Sequence, residues 1–158
     1  MTRNPVEVVQ AVLANPTSIE NIRELASEDV TYVSLNYDNA ELQKILPWTG
    51  TSHGPEAIVN VFTSVGKYWE NLAFDIKEIF GSGENVAVFG SLTYKSNTLG
   101  KITNSPFSIW AKVADGKIVS MQFLEDTFGS ASSFRAGGSW RFQSNPDGGE
   151  VTVGMEQA

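Results

Sequence analysis

Two adjacent acids, Glu125 and Asp126, close the stretch GKIVSMQFLEDTF, which runs from Gly116 to Phe128. The residues before them have the apolar alternation and β-branched content of a β-strand. At the end of a strand a carboxyl group can simply be solvated, in which case it does no chemistry. If it points into an apolar interior instead, desolvation raises its pKa and suits it to general acid or base catalysis. The two residues alone leave both interpretations open.

His53 is the only histidine of the chain, and there is no cysteine. These counts exclude disulfides, thiol nucleophiles and multi-histidine metal centres, although a carboxylate site for a hard cation stays possible. His53 precedes Gly54-Pro55, the start of a predicted helix, and is a candidate proton shuttle because imidazole titrates near neutral pH. The alternative is an ordinary loop residue. The sequence has no phosphate-binding loop and no G-x-S-x-G motif, and we expect no metal and no cofactor.

The composition is that of one soluble domain. The chain has 158 residues, of which 41% are hydrophobic and 18% charged, so it can bury a core without a disulfide or a metal ion. A formal net charge of -7 disfavours nucleic acid and anionic membranes as partners. The first residues lack the pattern of a secretory signal, and no apolar run is long enough to span a bilayer. We therefore expect a cytoplasmic protein.

Helical patterns come first along the chain, and strand patterns follow. Thr17 and Glu20 have the spacing of a capping box for the second helix, and Asp115-Gly116 is a strong hairpin signal. The predicted helices cover residues 5–13, 17–25 and 55–69, and the predicted strands cover 29–37, 72–80, 85–96, 101–113 and the stretch after Gly116. Residues 38–52 are predicted to be a short helical patch and a loop. This order predicts an α+β fold with helices on one face of an antiparallel sheet.

The composition changes at Gly129. Residues 129–158 are rich in Gly and Ser and have no sustained period, so we expect a domain over residues 1–128 and a mobile C-terminal tail over 129–158. The exception is SWRF at 139–142, whose aromatic side chains could dock on the domain or on a partner chain.

Three stretches resemble a known superfamily: ASEDVTYV (26–33), PWTGTSHGPEAIVNVF (47–62) and DGKIVSMQFLEDT (115–127). They are similar to the first strand, the loop into the third helix and the last strand of the nuclear transport factor 2-like superfamily. This superfamily includes ketosteroid isomerase and the SnoaL-like polyketide cyclases, and the resemblance covers residues 5–128. It implies a cone in which a curved antiparallel sheet is wrapped around N-terminal helices and encloses an apolar pocket. It also implies a dimer through the outer face of the sheet.

The closing strand supports a homodimer independently. Val119, Met121 and Phe123 share one face of this strand, and Ile118 and Leu124 share the other. A strand that is apolar on both faces needs cover on both, and one set of helices covers only one of them. A second copy of the chain would cover the other face.

The resemblance also bears on the chemistry. Alignment through the first and last strands puts Ser34 near the base position of ketosteroid isomerase and Ser108 near its acid donor. A serine without a neighbouring base cannot take a proton from a carbon acid, which argues against that mechanism. The SnoaL-like cyclases use an acid on the closing strand, and Asp126 matches it, but their supporting histidine has no match here.

The choice between the two acids depends on which face lines the pocket. Strict alternation puts Glu125 on the face of Phe123, and Asp126 on the face of Gln122 and Leu124. The isomerases use the first face, which favours Glu125. The cyclases direct the Asp inward, which requires the second face or a β-bulge late in the strand. On this resemblance we favour Asp126 as the catalytic acid or base, with Glu125 and His53 as the other candidates.

Aromatic and polar side chains on the predicted elements could bind a flat, partly aromatic ligand, although aromatic residues at these spacings are more often core. The candidate substrate-binding residues are Tyr32, Ser34, Asn36, Trp48, Trp69, Tyr94, Ser108, Trp110 and Gln122.

The resemblance implies a small-molecule-binding domain. If it is an enzyme, we expect a cofactor-independent cyclase, isomerase or dehydratase that moves protons on an apolar or polyketide-like substrate. The alternative is a non-catalytic binding or dimerisation module with the same pocket. A third hypothesis is a protein-interaction module in which the SWRF segment reaches a partner.

Overall fold

A computed structural model describes residues 3–154. The helices are α1 (Pro5–Ala14), α2 (Ile19–Leu25), α3 (Ala40–Ile45), α4 (Pro55–Tyr68) and α5 (Thr127–Ser132). The strands are β1 (Ala26–Ser34), β2 (Gly50–His53), β3 (Trp69–Ser82), β4 (Asn85–Ser96), β5 (Ile102–Ala114), β6 (Lys117–Glu125), β7 (Trp140–Phe142) and β8 (Val151–Val153). None of the helices in this part of the chain is long and apolar enough to cross a membrane.

The two N-terminal helices begin at side-chain caps. Asn4 accepts a hydrogen bond from the Glu7 amide at 3.0 Å, and the Glu7 carboxylate accepts one from the Asn4 amide at 3.1 Å, which completes a capping box. The cap of α2 is Ser18, whose hydroxyl accepts from the Asn21 amide at 3.3 Å. The predicted cap at Thr17 is therefore one residue too early.

Six strands form one sheet in the order β2-β1-β6-β5-β4-β3. The hairpins β3–β4, β4–β5 and β5–β6 are antiparallel, whereas β1 pairs with β6 in parallel. The α+β class with a large curved sheet and N-terminal helices is confirmed, but the sheet is mixed and not wholly antiparallel as predicted. Strands joined by short turns must run antiparallel, while β1 and β6 lie far apart in the chain and are free of that constraint.

A β-bulge in β6 changes which side chains face inward. Lys112 lies opposite Ser120 and Val113 lies opposite Ile118, so Val119 is the extra residue. Ile118 consequently joins the inner face and is fully buried. The prediction that Ile118 shares the outer face with Leu124 is wrong for this reason.

The inner face of the sheet packs on the helices. A row of aromatic rings crosses it: Phe74 stacks on Phe107 at 4.5 Å between ring centroids, and Phe107 stacks on Phe123 at 5.3 Å. The row fits because β4 has a glycine at this point. A Cβ atom on Gly90 would lie 2.6 Å from the Phe107 ring, closer than packed atoms approach.

The outer face of the sheet carries large apolar side chains in solvent. Trp110 is 60% exposed, Phe80 55%, Phe89 48% and Leu124 40%. The Phe80 and Phe89 rings are 6.0 Å apart, and register places Phe89 and Leu124 on either side of Ser108 in β5. Together these four side chains form an apolar patch, which we call the outer patch.

The C-terminal segment is partly built into the domain. The predicted boundary at Gly129 falls within α5, and β7 and β8 form a separate two-stranded hairpin. Phe134 packs on the indole of Trp69 at 5.1 Å and on the Tyr68 ring at 6.0 Å. The mobility of the segment stays a prediction.

Candidate functional site

Glu125 ends β6 with its side chain on the inner face, where it is half-buried. Its register partner on β5 is Phe107, and no bulge interrupts the alternation from Phe123 onward. The Ser130 hydroxyl donates a hydrogen bond to the Glu125 Oε2 atom. Burial raises the pKa of Glu125 from its ordinary value of 4.5 to about 7, although the Ser130 hydrogen bond lowers it and the Asp126 charge raises it further. An acid with this pKa exchanges protons readily at neutral pH.

Two tyrosines share the interior with this acid. Tyr32 on β1 lies opposite Met121 in the sheet and is 1% exposed, and Tyr94 on β4 is 6% exposed. Burial raises the pKa of both phenols, and the Glu125 carboxylate raises each of them further. The Glu125 carboxylate therefore acts electrostatically on both phenols across the inner face of the sheet, where a buried charge is only weakly screened. Both phenols stay protonated at neutral pH and can donate hydrogen bonds.

Apolar rings surround these polar groups. Tyr32 stacks on Phe62 of α4 at 6.1 Å, and Phe62 meets Phe123 edge-on at 6.5 Å. Trp69 packs against Tyr94 at 5.3 Å and against Trp48 at 5.1 Å. The candidate site therefore combines one titratable carboxyl group and two phenols with flat apolar walls, a combination that suits a planar molecule with a few oxygen atoms.

Asp126 has a different role in the structure. It is exposed, and its Oδ1 atom accepts a hydrogen bond from the Gly129 amide at 3.1 Å, which caps α5. The Asp126 amide itself donates to the Ser105 hydroxyl at 2.8 Å. The preference for Asp126 as the inward acid required either the other face of the strand or a late bulge. The buried face is that of Met121 and Phe123, and the bulge of β6 comes earlier, at Val119. The inward side chain is consequently that of Glu125.

His53 lies away from Glu125. It is exposed on the short edge strand β2, and its Nδ1 atom is 3.3 Å from the Thr31 hydroxyl. Thr31 lies opposite Ser120, five residues before Glu125, which is about 16 Å along an extended strand. The structure therefore does not bring His53 together with the acid.

The candidate binding residues divide between the two faces. Tyr32, Ser34, Trp48, Trp69 and Tyr94 belong to the inner face or pack against it. Ser108, Trp110 and Gln122 alternate with buried residues and lie on the outer face, so their predicted place in a pocket is wrong. Asn36 follows Leu35, whose φ of 64° turns the chain outward, and its amide oxygen accepts from the Tyr37 amide at 2.8 Å.

Ser130 is the site residue that the sequence interpretation missed. It lies in α5, in the Gly- and Ser-rich segment that was assigned to the tail, and it is fully buried. The one available signal was Asp126, whose residue type caps helix N-termini, but the residues after it have no helical periodicity.

Two shallow surface grooves lie at the opposite end of the sheet, beside the start of α1. They are lined by residues of that start and of the β3–β4 and β5–β6 turns, and neither includes Glu125. The interior pocket implied by the resemblance stays a prediction. Among residues 3–154, no three histidine or acidic side chains converge in a way that could hold a metal ion.

The chain matches the model of the SnoaL-like domain over residues 9–121, and it belongs to this family. It is 45% identical over 157 residues to patulin synthesis protein F of Aspergillus clavatus. The alignment covers 96% of this chain and 79% of that protein. It is 44% identical over 153 residues to patulin biosynthesis cluster protein F of Penicillium expansum, covering 93% of this chain and 77% of that protein. A crystal structure of an NTF2-like protein from Burkholderia thailandensis has a similar fold, with a TM-score of 0.72 at 20% identity over 84% of this chain and 98% of that one.

Proposed function

We propose that this chain is an enzyme that transfers protons, without a cofactor, on a small polyketide-like molecule. The observation that carries the proposal is the Glu125 carboxyl group, whose pKa is raised by burial to about 7 and which shares its environment with the Tyr32 and Tyr94 phenols. A half-buried acid of this kind, acting on two protonated phenols, favours catalysis over a structural role, because a fully solvated carboxyl group at a strand end would avoid the free-energy cost of desolvation.

The simplest chemistry for this arrangement is enolisation. The Glu125 carboxylate takes a proton from a carbon next to a carbonyl group. The electron pair of that C–H bond forms a C=C bond, and the π pair of the C=O bond moves to the oxygen, which gives an enolate. A hydrogen bond from Tyr32 or Tyr94 stabilises the resulting negative charge. The protonated Glu125 then returns its proton to another atom of the substrate. Isomerisation, ring closure and dehydration can all proceed through this step.

The raised pKa of Glu125 suits both proton transfers, from the substrate to Glu125 and back to the substrate. A base with a pKa near the working pH is present in substantial amounts as carboxylate and as carboxylic acid, so it can accept a proton and then donate it. At the ordinary value of 4.5 the carboxylate would be a weaker base for carbon acids. The phenols complement it because burial and the Glu125 charge keep them protonated.

The relatives suggest the substrate class. At 45% identity over almost the whole chain, a shared reaction with the Aspergillus protein named for patulin synthesis is a reasonable proposal. We propose that this chain acts on the same substrate as that protein, or on a close analogue, and that the aromatic side chains of Phe62, Phe107 and Phe123 bind a planar part of it.

We also propose that the chain forms a homodimer through the outer patch. Its four large side chains are each at least 40% exposed, and solvent contact of so much contiguous apolar surface is unfavourable. A second copy would bury both patches at once, because a two-fold axis brings the same surface of each subunit together.

Complementation tests the proposed function. The chain is expressed in an Aspergillus clavatus strain from which patulin synthesis protein F has been deleted, and patulin is measured in the medium. We expect production to be restored to within about tenfold of the level that the Aspergillus protein itself restores, since a tenfold loss corresponds to only ~1.4 kcal/mol of transition-state stabilisation. If the Aspergillus protein restores production and this chain, present at equal abundance, does not, the shared reaction is contradicted.

A further inference from the structure

Among residues 3–154, one hydrogen bond reaches the Glu125 carboxyl group, and it comes from a helix that, like Glu125 itself, lies beyond the residues matched by the family model. Ser130 is fully buried in α5, beyond the residues 9–121 that match the family model, and its hydroxyl donates to Glu125 Oε2. We propose that Ser130 is a positioning residue, which fixes the Glu125 carboxyl group in one orientation and leaves the Oε1 atom to exchange protons with the substrate. This inference rests on the proposed function of Glu125 and adds α5 to the machinery of the site.

A chain of hydrogen bonds holds Ser130 in place. The Trp69 indole N–H donates to the Ser133 hydroxyl at 2.9 Å, and that hydroxyl donates to the Ser130 carbonyl at 2.7 Å. The Ser130 amide donates to the Asp126 carbonyl at 3.0 Å. Trp69 also packs on Tyr94, so a continuous series of contacts runs from Tyr94 through Trp69 and α5 to Glu125. The main chain of Ser130 is therefore held in position beside the acid.

No second donor among residues 3–154 hydrogen-bonds to the Glu125 carboxyl group. The Ser130 hydroxyl is therefore the donor that sets the orientation of the Glu125 carboxyl plane, since the terminal torsion of a glutamate is otherwise broad. The donor also favours the carboxylate over the acid, which opposes the effect of burial. The titratable groups that share this environment are Asp126 at the cap of α5, Tyr32 on β1 and Tyr94 on β4, and the two phenols are uncharged at neutral pH.

A carboxyl titration of the full chain tests this role. The protein is labelled with 13C at the glutamate carboxyl carbons, and the Glu125 signal is assigned by its loss in Glu125→Gln and followed by NMR from pH 4 to pH 9. In Ser130→Ala we expect the Glu125 midpoint to move upward by roughly one pH unit, the size expected for loss of a hydrogen bond to a charged group. Ser130→Cys keeps the volume but supplies only a weak donor, so its midpoint should rise as well.

Ser132→Ala is the matched control. Ser132 lies on the same helix, and its hydroxyl donates to the Phe128 carbonyl at 2.7 Å rather than to the acid. In Ser132→Ala the Glu125 carboxyl group should titrate with the same midpoint as in the unmodified chain. An unchanged midpoint in folded Ser130→Ala or Ser130→Cys, or an equal rise in Ser132→Ala, would contradict the role of Ser130. The titration needs no substrate, so its outcome does not depend on the outcome of the complementation experiment. The role of Ser130 and the proposed function are therefore tested separately.

Discussion

Replacing Glu125 by Gln should abolish the ability of the chain to restore patulin production in the deletion strain. Glutamine has the size of glutamate and can still accept the hydrogen bond from Ser130, so the fold and the packing should be preserved. It cannot accept or return a proton, and losing a general base costs about 10²–10⁴-fold in rate. Patulin measured in the medium at equal protein abundance gives the result.

Asp126→Asn is the control for this variant. Asparagine caps helices as well as aspartate does, so the hydrogen bond from the Gly129 amide should survive and α5 should keep its place. We expect production close to that of the unmodified chain. The opposite result, with Glu125→Gln active and Asp126→Asn inactive, would restore Asp126 as the catalytic acid. If both variants are as active as the unmodified chain, the domain is a binding module and the enzymatic proposal is wrong.

Replacing Trp110 by Glu should convert a dimer of this chain into a monomer. Trp110 is the most exposed member of the outer patch, and its indole N–H donates to Asn85 Oδ1 at 2.9 Å, which orients the ring on the sheet. A central tryptophan in an interface typically contributes 2–4 kcal/mol, so dimer affinity should fall by about 30- to 1,000-fold. Sedimentation equilibrium over a range of concentrations measures the change.

Trp140→Glu is the matched control for the dimer prediction. Trp140 is 55% exposed, almost as much as Trp110, but it lies on the separate hairpin β7–β8 and not on the outer face of the main sheet. We expect this variant to sediment as the unmodified chain does. A chain that is monomeric without any substitution, or a dimer that Trp140→Glu disrupts and Trp110→Glu does not, would contradict an interface through the outer patch.

The local patterns of the sequence predicted most of the elements of the fold. The strand predicted over residues 85–96 is β4 residue for residue, and the hairpin at Asp115-Gly116 is confirmed by positive φ at both positions. The parallel pairing of β1 with β6 could not be derived in this way, because it joins strands that are about 90 residues apart and have no turn to fix their direction. The strand β2 was missed because four residues are too few to show a period.

The site was harder to derive than the fold. Assigning Trp110 to a pocket was wrong because the aromatic character of a side chain does not show which face of a strand it lies on; the buried neighbours Ile109 and Ala111 decide that. Alternation alone placed Glu125 correctly on the face of Phe123, and the resemblance to the cyclases led away from it. Ser130 was out of reach, because its function depends on a helix that forms only where Asp126 caps it.

The most direct test of the account is the titration of Glu125 in the unmodified chain. We predict that one glutamate carboxyl signal, the one absent in Glu125→Gln, titrates with a midpoint near 7, because burial raises the pKa of this residue to about 7. Ionisation of that group should also change the environment of the Tyr32 and Tyr94 rings, since its charge acts on both. A Glu125 midpoint at the ordinary value of 4.5 would mean that the carboxyl group is solvated, and would contradict an interior acid at this site.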